Sequence, residues 1–130
     1  MREKELRLAL VFFGGISLAV YMHGISKEIL KLVRASKALH GIANRSRRLE
    51  SSYPVEEACP GAECDTESLY FELLREIGRK VELRVVADVI AGASAGGING
   101  VMLARALAHD LPLEKLRELW LAEADVSELL

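Results

Sequence analysis

The stretch that most constrains this chain is Val89-Ile90-Ala91-Gly92-Ala93-Ser94-Ala95-Gly96-Gly97-Ile98-Asn99-Gly100. An apolar run of the kind that forms a buried strand meets Gly-x-Ser-x-Gly, and an Ala- and Leu-rich helical pattern follows at once. A serine on so sharp a strand-to-helix turn has its hydroxyl pushed clear of the backbone at the carboxyl end of a sheet. Gly92 and Gly96 fit that geometry, because a Cβ at either would meet the tight turn or the approaching helix. The hydroxyl would also lie at a helix N-terminus, where free N–H groups and the dipole favour negative charge. Ser94 is therefore the candidate nucleophile, with Gly92 and Gly96 as the glycines of a nucleophile elbow.

A chain of 130 residues with 51% hydrophobic content has enough apolar side chain for one domain core. The net charge is −2 with both signs interspersed, and only 5% of residues are aromatic. Neither a basic footprint nor a base-stacking platform follows from that balance, so nucleic acid is not an expected partner. Cys59 and Cys64 sit in Cys-Pro-Gly-Ala-Glu-Cys with no nearby histidine pair, a poor zinc arrangement. Either a small-loop disulfide or two free thiols fits them. Free thiols in an intracellular, most simply cytoplasmic, protein are the favoured case. No metal or cofactor is called for.

Leu8 to Ile25 carries no formal charge and follows Arg2, Lys4 and Arg7, a pattern shared by signal peptides and short membrane spans. Glu3 and Glu5 dilute the basic flank, Gly14-Gly15 interrupts the run, and His23 lies inside it. A strand covered on both faces over Leu6–Phe13, followed by a buried helix, accounts for the same residues. That helix is expected from Ile16 or Ser17, with Ser17 near its cap. Val20, Ile25, Ile29, Leu32 and Val33 form its apolar face, and Gly41 is its stop. Asn44 to Asp65 loses all periodicity and reads as a long loop or insertion at about 44–65.

Thr66-Glu67 opens a second helix, with Leu69, Leu73 and Ile77 on one face and Gly78 near its end. Glu82–Ala91 reads as the second strand, Ala95–Ala108 as a helix closed by Asp110-Leu111-Pro112, and Leu113–Leu121 as a helix carrying Trp120. Strand and helix alternate in the manner of an α/β fold with a parallel sheet. A parallel pair alone would leave two bare edges, so the pattern is expected to be the front of a larger domain.

Acyl transfer at Ser94 needs oxyanion donors and a base. The carboxyl ends of parallel strands share one sheet edge, so the backbone N–H groups at Gly14, Gly15 and Ile16 are candidates for the oxyanion. The base is harder to find. His109 would lie about 22 Å along the helix from Ser94 at 1.5 Å per residue. Asp88 would lie about 20 Å down the strand at 3.3 Å per residue. His40 falls at the far end of the first helix, and His23 reads more simply as a core histidine. Two other readings of the serine turn stay open: a turn whose serine merely caps the helix, and a phosphate-binding loop. The second is weakened because Ser94 stands where the middle glycine of Gly-x-Gly-x-x-Gly belongs.

The block Asp88–Asn99, the Leu6–Gly15 strand and turn, and Leu111-Pro112-Leu113 leading to Leu119-Trp120 together resemble the N-terminal part of a patatin-like phospholipase domain. The resemblance implies a three-layer α/β/α fold with a parallel sheet, of which residues 1–130 carry only the N-terminal part. It further implies hydrolysis of lipid or phospholipid esters by a Ser–Asp dyad without histidine. Ser94 matches the nucleophile, and Gly14 and Gly15 match the glycine-rich oxyanion stretch. The sequence departs from the family pattern in two places. Ile16-Ser17-Leu18 stands where a third glycine and a basic residue are usual, and none of the 130 residues forms the Asp-Gly pair that carries the dyad aspartate. The chain is thus expected to hold the serine and oxyanion part of a hydrolase, with negligible turnover by itself. Its expected partners are a lipid ester, a membrane surface touched peripherally, and the remainder of the domain or a second copy at the exposed sheet edges. The contrasting expectation is a catalytically inactive module that binds lipid or a partner protein.

Overall fold

A computed structural model of the chain describes residues 2–54 and 65–123. Residues 55–64 of the expected insertion, with Cys59 and Cys64, lie outside the described residues. The element order is β1 (Glu3–Phe13), a 3-10 turn (Ile16–Leu18), α1 (Ala19–Gly41), α2 (Arg45–Glu50), α3 (Asp65–Gly78), β2 (Glu82–Ala93), α4 (Ala95–His109) and α5 (Glu114–Glu123). β1 and β2 pair in parallel as a two-stranded sheet, which is the α/β arrangement read from the sequence. The uncharged run from Leu8 is therefore a strand, a glycine turn and a helix. Among the described residues no helix is long and apolar enough to cross a membrane.

Two compact units divide the chain. One consists of the described residues within Met1–Leu8 and Lys31–Ala87. Its core is Ala35, Leu39, Phe71, Leu74 and Val85, with the Tyr53 ring edge-on to Phe71 at 5.5 Å between centroids. Three buried polar residues of this unit, Ser36, Glu67 and Glu82, have defined partners. Glu67 accepts from the Tyr53 hydroxyl at 2.6 Å and pairs with Arg34 at 3.3 Å. Glu82 takes Arg45 and Arg48, each at 3.2 Å. The Ser36 hydroxyl accepts from the Val85 backbone N–H at 2.8 Å, so a helix side chain satisfies a strand donor.

The other unit consists of the described residues within Ala9–Leu30 and Asp88–Leu130. Its core gathers Phe12, Ala19, Met22 and Leu30 with Leu103 and Ala106 of α4 and Leu113, Leu116 and Trp120. Asp110 closes α4 in the left-handed conformation at φ 52°, with its N–H on the Ala106 carbonyl, and Pro112 follows.

Several expectations need correction. Part of the expected loop is helical: the Asn44 side chain accepts from the Arg47 N–H at 3.2 Å and caps α2, while the Arg48 guanidinium donates to the Ile42 carbonyl. A helix of six residues is too short to announce itself by periodicity. Ser17 does not cap α1. It lies inside the 3-10 turn, whose cap is Gly15. The strands are not covered on both faces, since Val11 is 75%, Phe13 85% and Val89 56% exposed.

The helix faces are also rotated from expectation. α1 buries Ala19, Met22, His23, Ser26 and Leu30, then Ala35, Ser36 and Leu39, while Val20 and Ile25 face outward. α3 buries Glu67, Phe71 and Leu74 and exposes Leu69 and Leu73. In each case small or paired polar residues occupy the inward stripe, so counting apolar residues alone picks the wrong face.

Ser36→Ala should therefore leave the Val85 N–H buried without an acceptor. We expect it to lower the unfolding free energy by about 1–3 kcal/mol, read by urea denaturation, with helix content unchanged.

Candidate active site

β2 ends in Ala93 and α4 begins at Ala95, so the chain must turn from strand to helix on Ser94 alone. It does so at φ 56° and ψ −132°, one of two positive-φ non-glycine residues described. A side chain in that region costs about 1–3 kcal/mol and persists only where the surroundings enforce it. Here the surroundings are backbone. A Cβ on Gly92 would lie 2.5 Å from the Gly96 carbonyl oxygen, and a Cβ on Gly96 would collide with the carbonyl oxygen of Phe12. Only glycine at both positions lets β2, the first turn of α4 and the end of β1 come this close.

The Ser94 carbonyl accepts from the Gly97 N–H at 2.9 Å and the Ile98 N–H at 3.3 Å, so its backbone opens the helix. Its side chain makes no capping hydrogen bond, and the residue is exposed. A serine recruited only as a cap would spend its hydroxyl on the N–H groups of the first helical turn. This hydroxyl instead stands at the positive end of α4, accessible to an incoming group.

The contact of Gly96 with Phe12 fixes what lies nearby. Phe12 is two residues before Gly14, and Gly96 is two after Ser94, so the turns that follow β1 and β2 meet at one sheet edge. At the first turn, Gly15 caps the 3-10 segment and accepts from the Leu18 N–H at 3.1 Å. A Cβ at Gly14 would press on Leu18 Cδ1 at 3.1 Å, whereas one at Gly15 would meet nothing within 4 Å. Gly14 is thus partly a packing choice, and Gly15 borders open space. Ile16 begins the 3-10 turn and is half exposed.

Of the titratable groups weighed from the sequence, His109 and Asp88 lie away from this turn along their own elements. His109 is the last residue of α4, and Asp110 is its C-cap. His23 is buried on α1, and Asp88 is exposed on β2 ahead of the serine turn. Among the described residues no group of three His, Cys, Asp or Glu is placed to hold a metal ion.

One residue escaped the sequence reading. Asn99 is fully buried on α4 and donates from Nδ2 to the carbonyls of Ala19 at 3.3 Å and Ala95 at 3.2 Å. Its Oδ1 accepts from the Trp120 indole at 3.2 Å. A lone amide within an Ala- and Leu-rich helix was the available signal.

Gly96→Ala should destabilise the fold by about 1–3 kcal/mol or more through overpacking against Phe12. Gly15→Ala should change stability by less than about 0.5 kcal/mol. Paired thermal and urea melts check both.

The family model for Patatin-like phospholipase matches residues 68–128, which include Ser94, Gly92 and Gly96 but not Gly14–Ile16. An uncharacterized membrane protein of Mycobacterium tuberculosis is 33% identical over 127 residues. The match covers 98% of this chain and 11% of that protein, so the chain spans about a tenth of the length of the curated relative it matches. No solved structure matches the chain. The segment 68–128, with the strand–serine–helix turn near its centre, is thus a partial match to the Patatin-like phospholipase family.

Proposed function

We propose that Ser94 is the nucleophile of a lipid ester hydrolase whose proton acceptor, an aspartate, comes from residues outside these 130. The observation that carries this reading is the Ser94 backbone at φ 56° and ψ −132° with its hydroxyl exposed and uncommitted to capping. Strain of that kind at a reactive side chain is the mark of a nucleophile held out for attack.

In the proposed reaction Ser94 Oγ adds to the ester carbonyl carbon while its proton passes to the aspartate carboxylate. Negative charge gathers on the carbonyl oxygen and is met by N–H groups at Gly14, Gly15 and Ile16 and by the start of α4. Collapse of the tetrahedral intermediate breaks the bond to the alcohol oxygen, and the aspartic acid returns the proton to that leaving group. Water then attacks the acyl-Ser94 ester, gives a proton to the same carboxylate, and releases the fatty acid as the serine is reprotonated. A histidine is not needed if one carboxylate serves both half-reactions.

A second reading is favoured by one observation. Val11, Phe13 and Val89 expose apolar side chains along a sheet that has two strands among the described residues. An apolar patch beside unpaired strand edges suits a surface covered by further protein, either the remainder of the domain or a second copy. On that reading the chain is a catalytically silent module that binds lipid or a partner protein. Peripheral contact with a lipid surface is compatible with either.

A fluorophosphonate probe separates the two. In the longer protein that supplies the aspartate, the hydrolase reading expects covalent labelling at Ser94 that vanishes in Ser94→Ala, and an unlabelled serine there sinks it. The 130-residue chain should also turn over p-nitrophenyl esters negligibly. A rate well above buffer that disappears in Ser94→Ala would show that the proton acceptor lies within the chain.

A further inference from the structure

We propose that Asn99 is a positioning residue that keeps the turn after β1 in register with Ser94; this rests on the hydrolase reading above. The carboxamide orientation follows from chemistry. An indole N–H can only donate, so the Asn99 atom facing Trp120 Nε1 at 3.2 Å is the oxygen. Its NH2 then faces the two carbonyls of Ala19 and Ala95, and both amide hydrogens are used. A side chain with no exposed area and every donor engaged has one conformation, which is what a spacer between two loops requires.

The two carbonyls it grips are informative. Ala95 directly follows Ser94 and is the first residue of α4. Ala19 is the first residue of α1, and its own N–H donates to the Ile16 carbonyl. One amide therefore links the residue beside the serine to the residue that anchors the end of the Gly14–Ile16 turn. The distance between attacking oxygen and oxyanion donors is set through this link, by way of backbone atoms on either side. Asn99 touches no reacting atom in the scheme and acts only through what it holds.

A merely structural role makes a different forecast. A leucine of similar volume at position 99 would fill the same space but leave the Trp120 N–H without its acceptor, so a merely structural role predicts a lower Tm with the reactivity of the folded chain unchanged. Misplacement by about 1 Å, in contrast, costs reactivity on the order of 100-fold.

The test compares fluorophosphonate labelling rates at Ser94 in four versions of the longer protein that supplies the aspartate, each confirmed folded by circular dichroism. Asn99→Leu should slow labelling by about 100-fold. Trp120→Phe, which keeps both bonds from Nδ2, should stay within a few-fold of the wild type. Leu103→Ala, a core truncation on the same helix, should lower Tm while leaving the labelling rate nearly unchanged. Should Asn99→Leu fail to fold, Asn99→Ser removes the reach to Ala19 and should show the same slowing. Equal rates in wild type and the Asn99 variant, or equal slowing in Leu103→Ala, would overturn the positioning role alone. A wild-type protein that includes the aspartate and is not labelled at Ser94 would overturn the hydrolase reading and this one together.

Discussion

The backbone of Gly96 lies against the carbonyl of Phe12, and the geometry around Ser94 hangs on that approach. Helix and strand normally keep a side chain's width between them. Here Gly92, Gly96 and Gly100 remove that width, leaving Gly100 within 3.5 Å of the Phe12 ring and within 3.2 Å of Ile90 for any added Cβ. The first turn of α4 settles onto the end of the sheet, and Ser94 alone must absorb the change of direction. The left-handed backbone at the serine is thus the consequence of close packing on either side of it.

The two units use buried polarity differently. Near Phe71, Glu67 and Glu82 each collect cationic or hydroxyl partners, and Ser36 supplies an acceptor to β2. Pairs of this kind contribute little net stability but forbid arrangements that would break them. In the unit that holds Ser94 the inward polar side chains include Asn99 and Ser26, whose hydroxyl bonds back to the Met22 carbonyl on its own helix. Apolar packing around Leu103 and Trp120 supplies the cohesion there, and Asn99 supplies the registration.

Much of this was legible in advance, for identifiable reasons. Glycine at 92 and 96 around a serine is a weak signal alone, and it specifies the turn here because a Val- and Ile-rich strand run precedes it and a helical pattern follows. The boundaries of α3, β2, α4 and α5 followed from caps and breakers such as Thr66, Gly78 and Pro112. What eluded the sequence is chiefly which way helices face. Ser26, Ser36 and Glu67 look like solvent-side residues until their partners Met22, Val85 and Arg34 are in place. The coverage of the strands was overestimated because the apolar character of Val11, Phe13 and Val89 says only that the residues suit burial. Asn99 stayed hidden because its partners, Ala19 and Trp120, are distant in the chain.

Trp120 adds a consequence of its own. It is the single tryptophan of the chain, it is buried, and its indole N–H ends on Asn99. The wavelength and intensity of indole emission depend on hydration and on the hydrogen bond the ring makes. The chain therefore carries one intrinsic optical reporter, wired to the amide that joins α1, α4 and α5. Any event that loosens the seat of the serine helix should register in its emission before the rest of the fold has come apart.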